Sequence, residues 1–199
     1  PPCNALLKDS QQRIWLGTPG QGLYCFLPDG SSRQYPLSGL PIFSILELPD
    51  QTLYLSVGGQ GFGTFDPISG QYQKESGIPS VNNFTVYQLV CSGEDILAGI
   101  TWKGWFTYDR KQEAYTFHPT FHACNSIDAD QQGKIWIGME DGLLLWEASG
   151  ERQEVFYTTD GLINNSIRSI VRVSENTIWV STSSGISRIT SSQENETDS

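Results

Sequence analysis

Short apolar runs alternate with polar turn stretches along the whole chain, and none has helical periodicity of any length. Ile14-Trp15-Leu16-Gly17-Thr18 is one such run. Ile135-Trp136-Ile137-Gly138-Met139 and Ile178-Trp179-Val180-Ser181-Thr182 repeat it. Leu53-Tyr54-Leu55-Ser56-Val57 and Ile96-Leu97-Ala98-Gly99-Ile100 are looser copies. With anchors at Trp15, Tyr54, Leu97, Trp136 and Trp179, the runs recur at steps of 39, 43, 39 and 43 residues. A near-constant period of this size marks a repeat architecture.

Other elements keep the same phase. Six or seven residues after each anchor stands a Gly followed by a bulky residue: Gly22-Leu23, Gly61-Phe62, Gly104-Trp105, Gly142-Leu143 and Gly185-Ile186. A third element carries Tyr35, Tyr72, Tyr115 and Phe156. A fourth precedes each following anchor, as in Ile45-Leu46-Glu47-Leu48 and Ile170-Val171-Arg172-Val173. These runs are rich in β-branched and aromatic residues, and turn residues such as Pro49-Asp50 and Gln131-Gln132-Gly133 separate them, which is the signature of strands and hairpins. Four strands in about 40 residues is the size of one β-propeller blade. Leu143-Leu144-Leu145-Trp146 is apolar without alternation, as expected of a strand buried on both faces.

The pattern therefore predicts an all-β fold, a β-propeller of about five four-stranded blades over residues 1–190, with a polar tail or linker over residues 191–199. Named A to D from the axis outward, the strands carry the anchor on B, the Gly-plus-bulky motif at the start of C and the tyrosine on D. The chain enters in a first A strand at Ala5-Leu6-Leu7, and the fifth blade has no D strand of its own. Pro1-Pro2 is a poor candidate to complete it, because Pro cannot donate to a ladder. We therefore expect a partial ring cut from a longer chain in preference to a closed five-bladed propeller. A seven-bladed ring at this period would need roughly 290 residues.

Charge and composition narrow the function. The formal net charge is -10 and the 12 basic residues are scattered, which argues against nucleic acid as a partner. No stretch reaches the roughly 18 apolar residues of a membrane span. Pro1-Pro2-Cys3-Asn4 has neither the charged start nor the apolar run of a signal peptide. Cys3, Cys25, Cys91 and Cys124 form no C-x-x-C pair, so no zinc site is expected and they are read as small buried hydrophobes.

Asp130-Gln-Gln-Gly133-Lys-Ile-Trp136-Ile-Gly138 resembles the D-x-x-G-x-[IL]-W-I-G-T core of the two-component regulator propeller repeat. Asp9-Ser-Gln-Gln-Arg-Ile-Trp15-Leu-Gly17-Thr18 is similar, with Gln12 in place of the turn Gly. Asp160-Gly161-Leu162-Ile163-Asn164-Asn165-Ser166-Ile167 resembles the D-G-L-x-x-N-x-[IV] link between blades of that family. Gly39-Leu40-Pro41 and Gly77-Ile78-Pro79 are looser versions, and the link Phe117 to Asn125 departs from the pattern. The resemblance extends to about Ile189. It implies an extracytoplasmic, periplasmic sensor segment of a membrane-anchored bacterial hybrid two-component protein, in which propellers precede a β-sandwich, a membrane helix and a histidine kinase. Many members sense oligosaccharides. Kinase chemistry would lie outside this segment, which is expected not to be an enzyme and to need no cofactor. Binding would alter its contact with a neighbouring domain of the receptor or with a second protomer of a homodimer.

Candidate chemistry lies where the repeats differ. Trp15, Trp136 and Trp179 are expected to pack between blades, and the five motif glycines to serve turn geometry. Trp102, beside Lys103 in the third B–C loop, is a large indole where other repeats hold small or polar residues, and a loop indole is a common binding device. The blade-joining links, expected at the same end as the B–C loops, offer Phe43, Asn83, Phe84, His122, Asn164 and Asn165. Aromatic rings stack on apolar sugar faces, and amides match hydroxyl donors and acceptors; the plainer alternative is that Asn caps local turns. His118 and His122 lie too close to Pro119 for a helical metal pair, so no metal site is expected. They keep a second reading open, a propeller lyase or hydrolytic enzyme with either His as base. A third is a protein interaction scaffold without a small ligand.

Overall fold

Each apolar run forms one strand of an antiparallel meander, and each meander forms one blade. In the computed structural model, which describes residues 2–78, 85–147 and 153–190, the first blade holds β1 (Ala5–Lys8), β2 (Ile14–Gly17), β3 (Leu23–Phe26) and β4 (Ser32–Tyr35). The second holds β5 (Ile42–Glu47), β6 (Leu53–Val57), β7 (Gly61–Asp66) and β8 (Gln71–Lys74). The third holds β9 (Val86–Ser92), β10 (Ile96–Thr101), β11 (Gly104–Asp109) and β12 (Ala114–Pro119). The fourth holds β13 (Cys124–Ala129), β14 (Lys134–Met139), β15 (Gly142–Glu147) and β16 (Gln153–Phe156). The fifth has three described strands, β17 (Ile167–Ser174), β18 (Thr177–Thr182) and β19 (Ile186–Thr190). Two 3-10 turns, Leu37–Gly39 and Thr158–Asp160, interrupt the links and had no counterpart in the apolar pattern. The tail at residues 191–199 lies outside the described residues.

Strand pairing corrects two expectations. The residue three before the C-strand end of each B strand faces the following blade: Tyr54 where Val57 pairs with Gly61, and Trp136 where Met139 pairs with Gly142. In the third blade Thr101 pairs with Gly104, so that position is Ala98, one residue beyond the Leu97 read from the sequence. Because strand faces alternate, one residue changes the side: Leu97 packs with Tyr54 and Phe62 of the second blade, and Ala98 with Ile127 and Ile137 of the fourth. The second correction concerns Pro119, read from the sequence as part of the link Phe117 to Asn125. It ends β12 opposite Gly104, an outermost strand position where a missing N–H costs no ladder bond.

Four apolar clusters fill the seams between successive blades, and each draws on two neighbours. Trp15 and Leu23 pack with Ile42 and Phe65; Tyr54 and Phe62 with Leu89 and Phe106; Ile100 and Trp105 with Ile127 and Leu144; Trp136 and Leu143 with Ile167 and Ile178. Phe62 and Phe106 stack at 5.1 Å, and Trp105 meets Trp146 edge-on at 5.3 Å. Trp15 is wholly buried, and losing a ring of that size costs about 3–5 kcal/mol. Trp179 departs from the expected core role: it is 41% exposed, because no blade among the described residues lies against its face. Leu6, Ile14 and Phe26 are likewise exposed on the first blade. The five blades thus form an open arc with an apolar face at each end.

Polar groups brace the blades and their seams. Asp9, buried at the A–B turn of the first blade, accepts the Trp15 Nε1–H at 2.7 Å, the Arg13 Nε–H at 2.5 Å and the Arg13 backbone N–H at 2.8 Å. Burial pushes its pKa up, but the bonds from Trp15 and Arg13 outweigh that and hold the carboxyl below its ordinary value. Between the second and third blades, Glu75 accepts hydrogen bonds from Tyr54 and Tyr108, and burial pushes the Tyr108 phenol up to about 12. Arg172 of the fifth blade lies 3.4 Å from Asp128 and 3.5 Å from Asp130 of the fourth, an ion-pair distance without hydrogen-bond alignment to Asp128. Cys25 and Cys124 are buried as expected; Cys3 is exposed and Cys91 half-buried, and all four are unbridged.

Gln12, at the position of the family's turn Gly, has φ of 63°, the left-handed region that favours glycine. Gln12→Gly should therefore raise stability by up to about 1 kcal/mol in chemical denaturation, the relief of the left-handed strain less the greater unfolded-chain entropy of Gly. Asp9→Asn should lower stability at neutral pH by about 1–3 kcal/mol. The depressed pKa of Asp9 stabilises the fold above its unfolded value near 4, and this contribution is lost as the pH falls through the folded value. Denaturation midpoints measured from pH 7 to pH 2 should hence fall less steeply in Asp9→Asn than in the parent.

Candidate functional site

The antiparallel order of each blade places the B–C loops and the blade-joining links at one end of the strands, and the A–B and C–D turns at the other. Trp102, Lys103 and the links therefore share an end, as the sequence led us to expect. Val86 pairs with Thr101, so Tyr87 stands beside the strand end from which Trp102 projects. Phe43, half-buried at the start of β5, meets the Tyr87 ring edge-on at 5.4 Å. Asn83 and Phe84 lie outside the described residues.

The third and fourth blades supply the densest chemistry on this end. The Thr120 N–H donates to the Lys103 carbonyl at 3.3 Å, and the Glu140 N–H to the Ala123 carbonyl at 3.1 Å. These bonds tie the irregular link to the B–C loops of both blades. The link in turn holds His122, whose Nε2 lies 3.2 Å from Asp141 Oδ2, with both side chains half exposed. Phe121 beside it is fully solvent-exposed at 105%, and Trp102 is 80% exposed. Two exposed apolar rings, an imidazole–carboxylate pair and the exposed Lys103, all at this end of the strands, suit a ligand with both apolar faces and polar edges. Among the described residues no group of His, Cys, Asp and Glu has the makings of a metal site.

The remaining residues singled out from the sequence separate from this cluster. Asn164 donates from Nδ2 to Ser184 Oγ at 3.1 Å and accepts the Ser166 N–H at 2.8 Å; Asn165 accepts the Thr158 N–H at 2.7 Å. Both amides serve the link that joins the fourth and fifth blades, the local role that Asn often has in turns. His118 does not join His122. It lies within β12, stacks on Trp105 with ring centroids 3.9 Å apart and 13° between planes, and keeps Nε2 buried without a hydrogen-bond partner. Burial pushes its pKa down, so it is an uncharged packing group.

Sequence reasoning missed three contributors. Phe121 sits inside the link that breaks the family pattern, which was the available signal. Tyr87 looked like an ordinary strand aromatic, and Asp141 an ordinary turn acid; only their tertiary partners distinguish them. At the opposite end of the strands, an open cavity of about 460 Å³ takes its lining from the first four blades, including Ser10, Glu47, Cys91 and Asp128. It is remote from Trp102.

The fold defines the chain as a β-propeller segment. The family model described as two-component regulator propeller matches residues 161–184. Among curated proteins, no sequence matches the chain. Among solved structures it is similar to the extracellular domain of BT4673 from B. thetaiotaomicron, described as a hybrid two-component system, with 21% identity and a TM-score of 0.75 over 93% of this chain and 26% of that one. The extracellular domain of BT3049, described likewise and from the same organism, matches at 19% identity and a TM-score of 0.77, over 98% of this chain and 27% of that one. Virginiamycin B lyase from Staphylococcus aureus, crystallised in an inactive form with quinupristin, matches at 14% identity and a TM-score of 0.76, over 96% of this chain and 66% of that one. The chain thus spans about a quarter of the length of the two extracellular domains. No helix among the described residues is long and apolar enough to cross a membrane.

The geometry of His118 has a measurable consequence. In an NMR titration its imidazole should protonate below its ordinary pKa of 6.5. The unfolded chain then takes up that proton first, so this residue should make the fold less stable as the pH falls below 6.5. His118→Phe should remove that part of the pH dependence in denaturation midpoints measured from pH 7.5 to pH 5.

Proposed function

We propose that this chain is the ligand-recognition segment of an extracytoplasmic bacterial sensor of the two-component class, and that it binds an oligosaccharide at the end of the arc bearing Trp102. The observation that carries this reading is that two solvent-exposed aromatic rings, Trp102 and Phe121, and the His122–Asp141 pair lie at the same end of the strands. An exposed indole beside hydrogen-bonding groups stacks on the apolar face of a sugar while polar neighbours engage its hydroxyls. The extracellular placement of the similar B. thetaiotaomicron domains supports a sensor role in the periplasm. Phe43 and Lys103 extend the surface, Asn83 and Phe84 are retained as contacts, and Asn164 and Asn165 hold the adjoining link. Binding would signal by favouring one arrangement of the propeller against a neighbouring domain or second protomer, which requires unequal affinity for two states.

A second reading is favoured by one observation. His122 and Asp141 form a base-and-orienting-group pair of the kind used for proton abstraction, and a lyase is among the similar structures. It assigns His122 as base and makes the segment an enzyme.

Calorimetry of the full-length ectodomain against a panel of oligosaccharides separates the two. The sensor reading expects binding without turnover, weakened at least tenfold by Trp102→Ala and by Phe121→Ala. No heat with any glycan would sink it. Turnover that disappears in His122→Ala would establish the enzyme instead.

A further inference from the structure

The cavity of about 460 Å³ at the turn end of the arc lies where the A strands finish. Three of them line it: β5 supplies Leu46 and Glu47, β9 Val90 and Cys91, and β13 Asp128 and Ala129. Ser10, from the A–B turn of the first blade, borders one side. Its backbone N–H and its hydroxyl each donate to the Glu47 carboxylate at 2.7 Å, and so fix that group from outside its own blade. A cavity of this size can hold a small ligand, and no residue of the Trp102 end takes part in it.

The lining is acidic and apolar at once. Glu47 and Asp128 stand on the second and fourth blades, Val90 stands on the third between them, and none of the described lining residues is basic. Both carboxylates can accept more. A carboxylate offers about four lone-pair sites; Glu47 uses two on Ser10, and Asp128 Oδ1 takes the Ala129 N–H at 2.8 Å. Asp128 Oδ2 is buried without an aligned donor. Arg172 stands 3.4 Å from it but also lies 3.5 Å from Asp130, so one guanidinium faces two carboxylates. Burial, only partly offset by Arg172, holds the Asp128 carboxyl above its ordinary pKa. With Glu47 included, three carboxylates stand against one guanidinium, an excess of two negative charges.

We propose that this cavity binds a small aliphatic diamine or polyamine, with one ammonium on Glu47, another on Asp128 and the methylene stem against Leu46 and Val90. A dication matches the excess charge, and each ammonium brings N–H donors to oxygens that have room for them. The stem suits a wall that is apolar between its two acids, since alkylammonium chains bury their methylenes while the charged heads keep polar partners. An anionic ligand would meet repulsion from the same carboxylates. A metal ion does not fit, because among the described residues no group of His, Cys, Asp and Glu has the makings of a metal site. The site lies at the opposite end of the strands from Trp102, so it is independent of the oligosaccharide reading.

The test uses the full-length ectodomain with cadaverine as the probe. Calorimetry should show binding that falls about tenfold or more in Glu47→Gln, in Asp128→Asn and when n-pentylamine replaces the probe, the effect of losing one charge-assisted hydrogen bond. Both substitutions also touch bonds that brace the fold, so Gln131→Lys supplies a second variant. Gln131 is an exposed turn residue on the cavity lining; the new ammonium leaves both carboxylates in place and competes for them, and affinity should drop by a similar factor at an unchanged melting temperature. Trp102→Ala should leave binding as it was. Cys91, half-buried in the wall, reports occupancy directly. Its alkylation by iodoacetamide, followed by mass spectrometry of its peptide, should slow about tenfold at a probe concentration about ten times Kd, while the exposed Cys3 reacts as before. No binding of cadaverine, equal affinity for n-pentylamine, unchanged affinity in Gln131→Lys, or unprotected Cys91 would each overturn the proposal.

Discussion

A four-stranded blade cannot bury its own two faces, and the rest of this structure depends on that constraint. Most of the inner strands carry apolar side chains on both faces, so each blade buries them by packing against its neighbours. The four seam clusters are the direct result. They also account for the polar seams: burying a blade face buries backbone N–H and carbonyl groups, and Ser44, Gln88, Ser126 and Ser56 satisfy these from the adjoining blade. An unsatisfied group there would cost about 1–3 kcal/mol.

Because the repeat holds the seams fixed, variation is confined to the loop ends, and chemistry collects there. Trp102 and the link containing Phe121 and His122 are departures from the repeat, and the backbone bonds between Thr120 and Lys103 and between Glu140 and Ala123 bring them onto one surface. The tightly packed His118 shows the opposite case. It lies four residues from His122, yet stacking on Trp105 makes it part of the seam. Proximity in sequence carried no information about shared chemistry.

The architecture was almost wholly legible in the sequence, because period and apolar pattern encode it directly. The blade count, the strand order and the fifth blade's three described strands all follow from anchors about 40 residues apart. The candidate site was legible in part. Trp102, Lys103 and His122 were found through their departure from the repeat, while Phe121, Tyr87 and Asp141 were not, since their type is ordinary for their position. Asn164 and Asn165 look like ligand amides in sequence and are turn braces in space, because the same amide serves either role.

Sequence by itself determined the repeat, the β class and the faces that each strand must bury, since these rest on local periodicity. The tertiary structure decided three matters that periodicity cannot carry. It placed Ala98, not Leu97, at the third anchor, because strand register is set by pairing with Gly104 across the sheet. It left Trp179 exposed, because burial depends on whether a neighbouring blade is present and not on the residue. And it joined His122, in the link before the fourth blade, to Asp141 in that blade's B–C loop, a contact fixed by where the chain returns in space.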